Sequence, residues 1–402
     1  MSLERAMGNT SGFLKLVAVL ALLHVLGGCS TTNQFVMAEY DEQPAEALPP
    51  MAVFYLRPSE EVTAACQAYD DKSMLHHCVI NEFDLSYLAT ELADTQLFES
   101  IAYADDQYNY QLLVTTSAYN VEDSKELGSA VIAGATLMLA PISFSFDIRV
   151  DAVLTWNGAA LKEYRFELPF TQKSSLLNMD QDAEADFAKS LASHFIQKFQ
   201  QDDVFQPRLV YQKLEASNYE EQLFLPDQIG AYLEAEGQLY HHPFLGVQIR
   251  YIQPQFQFSR ADIFVYPIRN SDWSNQQEIL EAEADNFRKE LALMEKEDYL
   301  QDLDIGEISF QQWDNDGQVL PVAVVKSDYV EQQRPYRSFM YLFIQQDKFI
   351  KVRASHQQGA IADADVEAFV KRLSAGIRVP AESLFMARLR KNWRDEALVG
   401  QH

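Results

Sequence analysis

The sequence predicts an α+β protein of two domains, each an antiparallel or mixed sheet flanked by helices, behind a cleaved leader. Three observations predict it. Segments alternating apolar and polar residues are followed by helical stripes, and that succession occurs twice along the chain. The 402 residues are 48% hydrophobic and 12% aromatic, enough for two cores in spite of a net charge of -27. A charged start followed by one short apolar run marks the first thirty residues as an address, separate from the fold.

In that address, Arg5 and Lys15 precede an apolar run from Leu16 to Leu26, broken only by His24 and ending in Leu26-Gly27-Gly28-Cys29-Ser30. As a helix the run rises about 16 Å, about half of a hydrocarbon core of about 30 Å, so it reads as a signal peptide and not as a membrane span. Leu-Gly-Gly-Cys resembles the lipobox of bacterial lipoproteins. The resemblance implies removal of residues 1–28 and acylation of Cys29. Ser30, where an Asp would be a retention signal, resembles the pattern of proteins that travel to the outer membrane and face the periplasm. Each buried methylene contributes about 0.8 kcal/mol, so the three acyl chains of that family would hold the protein on a leaflet. Residues 29–50 are polar, end in Pro49-Pro50, and read as the lipidated Cys followed by a tether. With Cys29 acylated, Cys66 and Cys78 form an even pair in an oxidising compartment, and a disulfide is expected. A zinc site from Cys66, His76, His77 and Cys78 is the alternative. Three adjacent residues point in different directions on a helix or a strand, which disfavours it.

Residues 51–203 read as the first domain. Met51–Arg57 is a short apolar strand, Asp84–Phe98 a helix carrying Leu85, Leu88, Leu92 and Leu97, and Tyr110–Tyr119 a strand. From Phe144 to Trp156 every second residue is apolar, Asn157-Gly158 supplies a type I′ turn, and Tyr164, Phe166, Leu168 and Phe170 alternate on the return. A helix over Asp180–Gln201 follows, striped by Phe187, Leu191, Phe195 and Phe199. This order, with "LATELADTQLFESIAY" leading into "YNYQLLVTTSAY", resembles transport-auxiliary lipoproteins and the CsgG or TolB amino-terminal type of domain. The resemblance implies an assembly or accessory role in the envelope and carries over no catalytic residue. Within the domain, Gly128–Pro141 is an uncharged run. Its length favours a buried segment. Val131, Ile132, Leu137, Met138 and Leu139 would otherwise form a contact with a partner or a membrane.

A connector is expected over 204–236 and a second domain over 237–380. Alternation at Val247, Ile249 and Tyr251, then at Ile263 and Val265, marks two strands, and Asn275–Met294 is an amphipathic helix. Strands are predicted at Ile305–Trp313, Leu320–Ser327, Ser338–Gln345 and Phe349–Ala354, and a helix at Asp363–Ser374. The strings "FLGVQIRYIQP", "ADIFVYPI" and "SFMYLFIQQDKFIKVRAS", with their flanking helices, resemble the PsbP or Mog1 α/β sandwich. Residues 381–402 form a basic amphipathic helix. Its apolar residues include Met386 and Trp393, interleaved with Arg388, Arg390, Lys391 and Arg394, and it would suit anionic lipid or an acidic partner.

The 59 acidic against 32 basic residues argue against nucleic acid. No nucleophile elbow, His-Glu-x-x-His pair, phosphate loop or dinucleotide fingerprint occurs, so no catalytic residue, metal or cofactor is assigned. Asp314-Asn315-Asp316-Gly317 reads as a hairpin turn, because a calcium loop would require an acidic first ligand and a Glu at its twelfth position. Arg334, Arg337, Lys348, Lys351 and Arg353 are the one basic concentration on strands, to be divided between two sheet faces. The function expected is a lipid-anchored scaffold or accessory of an envelope transport or assembly complex, acting by binding. The alternative is a small-molecule or lipid-binding second domain, and an envelope hydrolase has least support.

Overall fold

The computed structural model describes residues 36–43, 47–121, 142–174, 183–256, 258–315 and 317–399. The predicted leader, Cys29, and Val131, Ile132, Leu137, Met138 and Leu139 lie outside them. The chain divides into two units, Met1–Val204 and Phe205–His402. Both are α+β.

The first unit runs β1 (Met51–Tyr55), α1 (Glu60–Asp70), β2 (Cys78–Ile80), α2 (Leu85–Asp94), β3 (Ile101–Tyr103), β4 (Tyr110–Asn120), β5 (Ile142–Trp156), β6 (Ala159–Ser174) and α3 (Ala183–Gln201). The sheet order is β3-β1-β4-β5-β6, with β2 on the far half of β4. β1 is parallel to β3 and β4, and the remaining pairs are antiparallel. The predicted alternation holds: Ile148, Val150, Ala152, Leu154 and Trp156 are buried, and Asn157 and Gly158 turn the hairpin with φ of +45° and +80°. Phe187, Leu191, Phe195 and Phe199 of α3 are buried with Leu85, Leu88 and Leu92 of α2. Each such side chain contributes about 1.5–3 kcal/mol of burial.

Three departures from the sequence reading have physical causes. Helix α1 lacks a periodic signal because only Cys66 is buried along it; Ser59 caps it by accepting from Val62 N–H at 3.2 Å. Helix α2 stops at Asp94, and Phe98 leaves the helical register to bridge Leu48. The expected tether is also docked from Val36 onward. Ser190 Oγ donates to the Val36 carbonyl (2.7 Å), Ala38 N–H to Ser193 Oγ (2.9 Å), and Asp41 N–H to Gln200 Oε1 (2.8 Å). Val36–Gln43 is therefore a strap along α3.

In the second unit, α4 (Pro207–Leu214), α5 (Tyr219–Gln222), β7 (Gln228–Ile229) and β8 (Tyr232–Leu239) occupy the stretch expected to be a connector. Their buried residues, Val210, Tyr211 and Leu214 in α4, Tyr219 in α5, Ile229 in β7 and Tyr232 in β8, are spread over elements too short to show a period. There follow β9 (Val247–Ile252), β10 (Arg260–Pro267), α6 (Gln276–Lys296), β11 (Gln301–Ile305), β12 (Ser309–Asn315), β13 (Gln318–Glu331), β14 (Arg334–Gln345), β15 (Lys348–Gln357), α7 (Asp363–Gly376) and α8 (Leu384–Val399). The sheet order is β11-β13-β14-β15-β10-β9-β8-β7, with β12 also on β13. One core packs Tyr251, Ile263, Phe343 and Val352 with Phe369 and Leu373 of α7. A second packs Met340, Leu342 and Phe349 with Leu280, Phe287 and Leu291 of α6. The single strand predicted over Ile305–Trp313 is two, because Gly306 turns close against Lys326, donating its N–H to that carbonyl at 2.8 Å.

Candidate functional site

Two surfaces concentrate chemistry, one in each unit. In the first, Cys66 of α1 and Cys78 of β2 are joined by the expected disulfide, with Cα atoms 5.3 Å apart. Bonding consumes both thiolates of the alternative zinc reading. The segment between them is held from outside as well. Asn120 Nδ2 donates to the Leu75 carbonyl (2.7 Å), Asn120 Oδ1 accepts from His77 N–H (2.6 Å), and Asp70 Oδ1 accepts from Cys78 N–H (2.7 Å). Tyr69 hydroxyl donates to the Asn120 carbonyl, and its ring meets His76 edge-on at 4.7 Å. This clamped loop presents Met74 at 93% exposure and Leu75 at 66%. Large apolar side chains held out by a cross-link and side-chain hydrogen bonds form a preorganised contact. The sequence showed the disulfide; the apolar tip was missed, since Met74-Leu75 lies among Asp, Lys, Ser and His and carries no period.

In the second unit, Leu233 and Ile252 are register partners on β8 and β9 and point outward, while their neighbours Tyr232 and Tyr251 are buried. Phe256 and Phe258 stand on the connection that follows β9, also exposed, with the Arg334 guanidinium 3.9 Å from the Phe258 ring centre. From Glu236 to Leu239, β8 pairs only with β9, so its other edge is open among the described residues. Further along this outer face runs a polar ladder. Asp262 Oδ1 accepts from Arg250 Nε (2.6 Å) and Gln248 Nε2 (3.0 Å), Arg260 Nε lies 3.8 Å from Asp262, and Arg353 is its cross-strand partner on β15. Arg250 also pairs with Glu236 at 2.5 Å. Two guanidinium groups thus reach one nearly buried carboxylate, and Arg353, its register partner on the next strand, has its Nε buried with no acceptor among the described residues.

The basic concentration predicted on β14 and β15 is largely committed internally. Arg337 grips Asp328 through two bonds of 2.9 and 3.0 Å, which holds that carboxyl below its ordinary range. Lys351 lies near Glu283 and Glu290. Lys348 is fully buried against Asp347, and burial lowers its ammonium pKa. The C-terminal helix is likewise drawn into its own unit. Arg390 is buried, bonded to Asp347 (2.8 Å), to Glu382 and to the Ile268 carbonyl (2.5 Å), with Trp273 under its guanidinium at 4.2 Å. Arg388 pairs with Glu215 at 2.9 Å. Trp393 is half-buried, and Lys391 and Arg394 remain exposed. Packing thus takes up two of the cations that an amphipathic reading would direct to lipid.

The remaining candidates fall where ordinary structure needs them. Trp313 pairs with Leu320 across the predicted hairpin, and Asp314 Oδ1 accepts from Gly317 N–H at 2.8 Å; Asp316 is outside the described residues. His194 is half-buried, with Nδ1 2.9 Å from the Ser190 carbonyl. A cavity of about 190 Å³ is lined by Arg208, Tyr211, Ser217, Tyr219 and Glu221. It is smaller than the roughly 300–1,000 Å³ typical of small-molecule sites.

No family model and no curated protein matches this chain. Among solved structures, cyanobacterial PsbP (CyanoP) from Synechocystis is similar over 40% of this chain and 89% of its own, at 10% identity and a TM-score of 0.26. The immunity protein TplEi of the T6SS from Pseudomonas aeruginosa, complexed with "L" peptide, covers 68% of this chain and 92% of its own, at 10% identity and a TM-score of 0.20. The apo form of TplEi gives 10% identity and 0.21. Scores this low leave the fold to stand on the residues described above.

Proposed function

We propose that the protein is a lipid-anchored accessory or scaffold of a bacterial envelope, held at the outer membrane by Cys29 and facing the periplasm, and that it binds a transport or assembly complex instead of turning over a substrate. The observation that carries the binding role is the apolar patch of Leu233, Ile252, Phe256 and Phe258 beside the open edge of β8. An open edge offers backbone donors and acceptors to an extended segment, and adjacent apolar side chains supply the burial that makes such pairing stable. The lipobox-like Leu26-Gly27-Gly28-Cys29 supports the anchor.

A photo-crosslinking residue placed at Ile252 or Phe256 in cells should yield a discrete adduct with an envelope protein. The same residue at exposed Glu281 of α6 should not, and Phe256→Ser with Phe258→Ser should abolish the adduct formed from position 252. Membrane-localised protein giving no adduct at either patch position would reject the role. The guanidinium cluster around Asp262 favours a second reading, capture of an anionic small molecule. In that case Arg353→Gln would lower the thermal stabilisation given by such an anion while leaving the crosslink intact.

A further inference from the structure

We propose that the first unit rests on the leaflet by one defined end, the end carrying Asn120 of β4 and the last residue of β6, and touches lipid there through two apolar pairs, Val36-Met37 and Met74-Leu75. The inference rests on the lipid-anchor reading and deepens it by assigning the membrane-facing surface.

Both pairs are placed at that end by strand register and helix direction. β5 pairs antiparallel with both neighbours, Asn120↔Phe146 and Phe146↔Phe170, so the last residues of β4 and β6 lie at the same end of the sheet. β2 pairs with this part of β4, Cys78↔Tyr119, and Asn120 itself holds the loop that presents Met74 and Leu75. Helix α3 runs antiparallel to β6: Asp202, just past its last turn, pairs with Lys162 near the start of β6 at 3.2 Å, Phe199 meets Tyr164 at 5.5 Å, and His194 meets Phe166 at 6.0 Å. Its amino-terminal half therefore points to the Asn120 end. The strap runs parallel to α3, from Val36 beside Ser190 to Asp41 beside Gln200, so the chain joins the unit from that same end.

Reach then limits the geometry. Cys29 is seven positions before Val36, and seven residues span about 25 Å at most. Helix α3 alone, 19 residues long, extends about 28 Å. An acylated Cys29 would therefore keep this end within about 25 Å of the leaflet, with no freely swinging tether of twenty residues. Val36 and Met37 are 66% and 47% exposed, beside the point where the chain joins the unit. Met74 and Leu75, in the loop clamped by Asn120, are 93% and 66% exposed. Apolar side chains suit a surface whose chemistry is hydrocarbon under headgroups, and they need no positive charge from a chain of net charge -27.

The test uses the full-length acylated protein reconstituted into vesicles of phosphatidylethanolamine and phosphatidylglycerol, with no other protein present. Single labels are introduced as Met37→Cys, Met74→Cys or Asn157→Cys carrying an environment-sensitive fluorophore, attached without reductant so that Cys66 and Cys78 stay bonded. Asn157, at the opposite end of the β5–β6 hairpin, is the control. Labels at 37 and 74 should shift to the blue and be quenched at least twofold by nitroxide-bearing lipid, and the label at 157 should do neither. Vesicle-bound protein whose labels at 37 and 74 remain as wet as that at 157 overturns the assigned end alone. Protein that fails to float with vesicles and has an unacylated mass overturns the anchor, and this proposal with it. The Met74→Ser, Leu75→Ser double variant should remove the blue shift at 37 only in part, because each pair contacts lipid separately; complete retention of quenching at 37 with wet labels at 74 would reject the loop as a contact.

Discussion

The two units reach the same fold class by different means. The first relies on aromatic packing and a covalent link. Phe83 and Phe187 lie 4.3 Å apart, Tyr164 and Phe166 pack on Phe195, and the Cys66–Cys78 bond ties α1 to the sheet. Among its described residues the ion pairs Arg149–Glu167, Lys162–Asp202 and Arg165–Asp151 are solvent-accessible. The second unit has no cysteine and places charge in its interior, with Arg390, Asp347 and Lys348 all at 2% exposure or less. The difference teaches where each unit is vulnerable. A buried ion network fails when the member that joins its other groups is removed, because those are left charged without water. A cross-linked unit fails when its unfolded chain is released.

The largest effect is expected from Arg390→Ala, which removes the donor to Asp347 Oδ2 and to the Ile268 carbonyl and leaves Asp347 with Lys348 alone. It should destabilise the second unit by about 3–5 kcal/mol, read as a lowered calorimetric transition. Lys348→Met sharpens the comparison: Arg390 still neutralises Asp347 and burial disfavours the ammonium, so the loss should stay under about 1.5 kcal/mol. An equal loss in both variants would refute the view that Arg390 is the organising charge.

Next in size, replacing Cys66 and Cys78 by Ser should cost the first unit about 2–4 kcal/mol, and reductant should reproduce the shift while sparing the cysteine-free second unit. Asn120→Ala removes the bonds to Leu75 and His77 and should cost about 1–3 kcal/mol. Its signature is faster amide exchange across residues 75–78 with the disulfide intact.

The smallest effect is electrostatic. Arg337 holds Asp328 below the ordinary carboxylate range, so the ionised form is favoured in the folded state. The resulting stability is full above the unfolded-state pKa and is lost as pH falls through the lowered folded value. Both side chains are about one-third exposed, which keeps the contribution within about 1 kcal/mol. Asp328→Asn should flatten the acid limb of the second unit's stability curve, and an unchanged limb would show that this pair contributes nothing measurable.

Legibility followed the type of signal. The β5–β6 hairpin was readable because burial on one face enforces a period of two and Asn157-Gly158 accepts positive φ. Helices α3, α6 and α7 were readable from apolar stripes. Helices α1, α4 and α5 were not: α1 buries only Cys66, α4 buries Val210, Tyr211 and Leu214 within about two turns, and α5 is a single turn on Tyr219. At the candidate sites the disulfide was expected from the cysteine count, whereas the apolar tip at Met74-Leu75 required knowing that Asn120, more than forty positions away, holds the loop outward. At Asp262, Arg260 is a same-strand neighbour and Arg250 lies on the adjacent strand, but Arg353 comes from ninety-one positions away, and no spacing along the chain announces it.

By itself the sequence determined the α+β class, the long hairpin and the disulfide, since each is written in local periodicity, composition or cysteine count. Tertiary structure alone decided that the tether becomes a strap, that the expected connector joins the sheet, and that the basic C-terminal helix turns Arg390 inward. The strap and the inward turn of Arg390 depend on hydrogen bonds and ion pairs between residues more than forty positions apart, and β8 joins the sheet through β9, whose choice as partner is made by strand order and leaves no periodic trace in the connector.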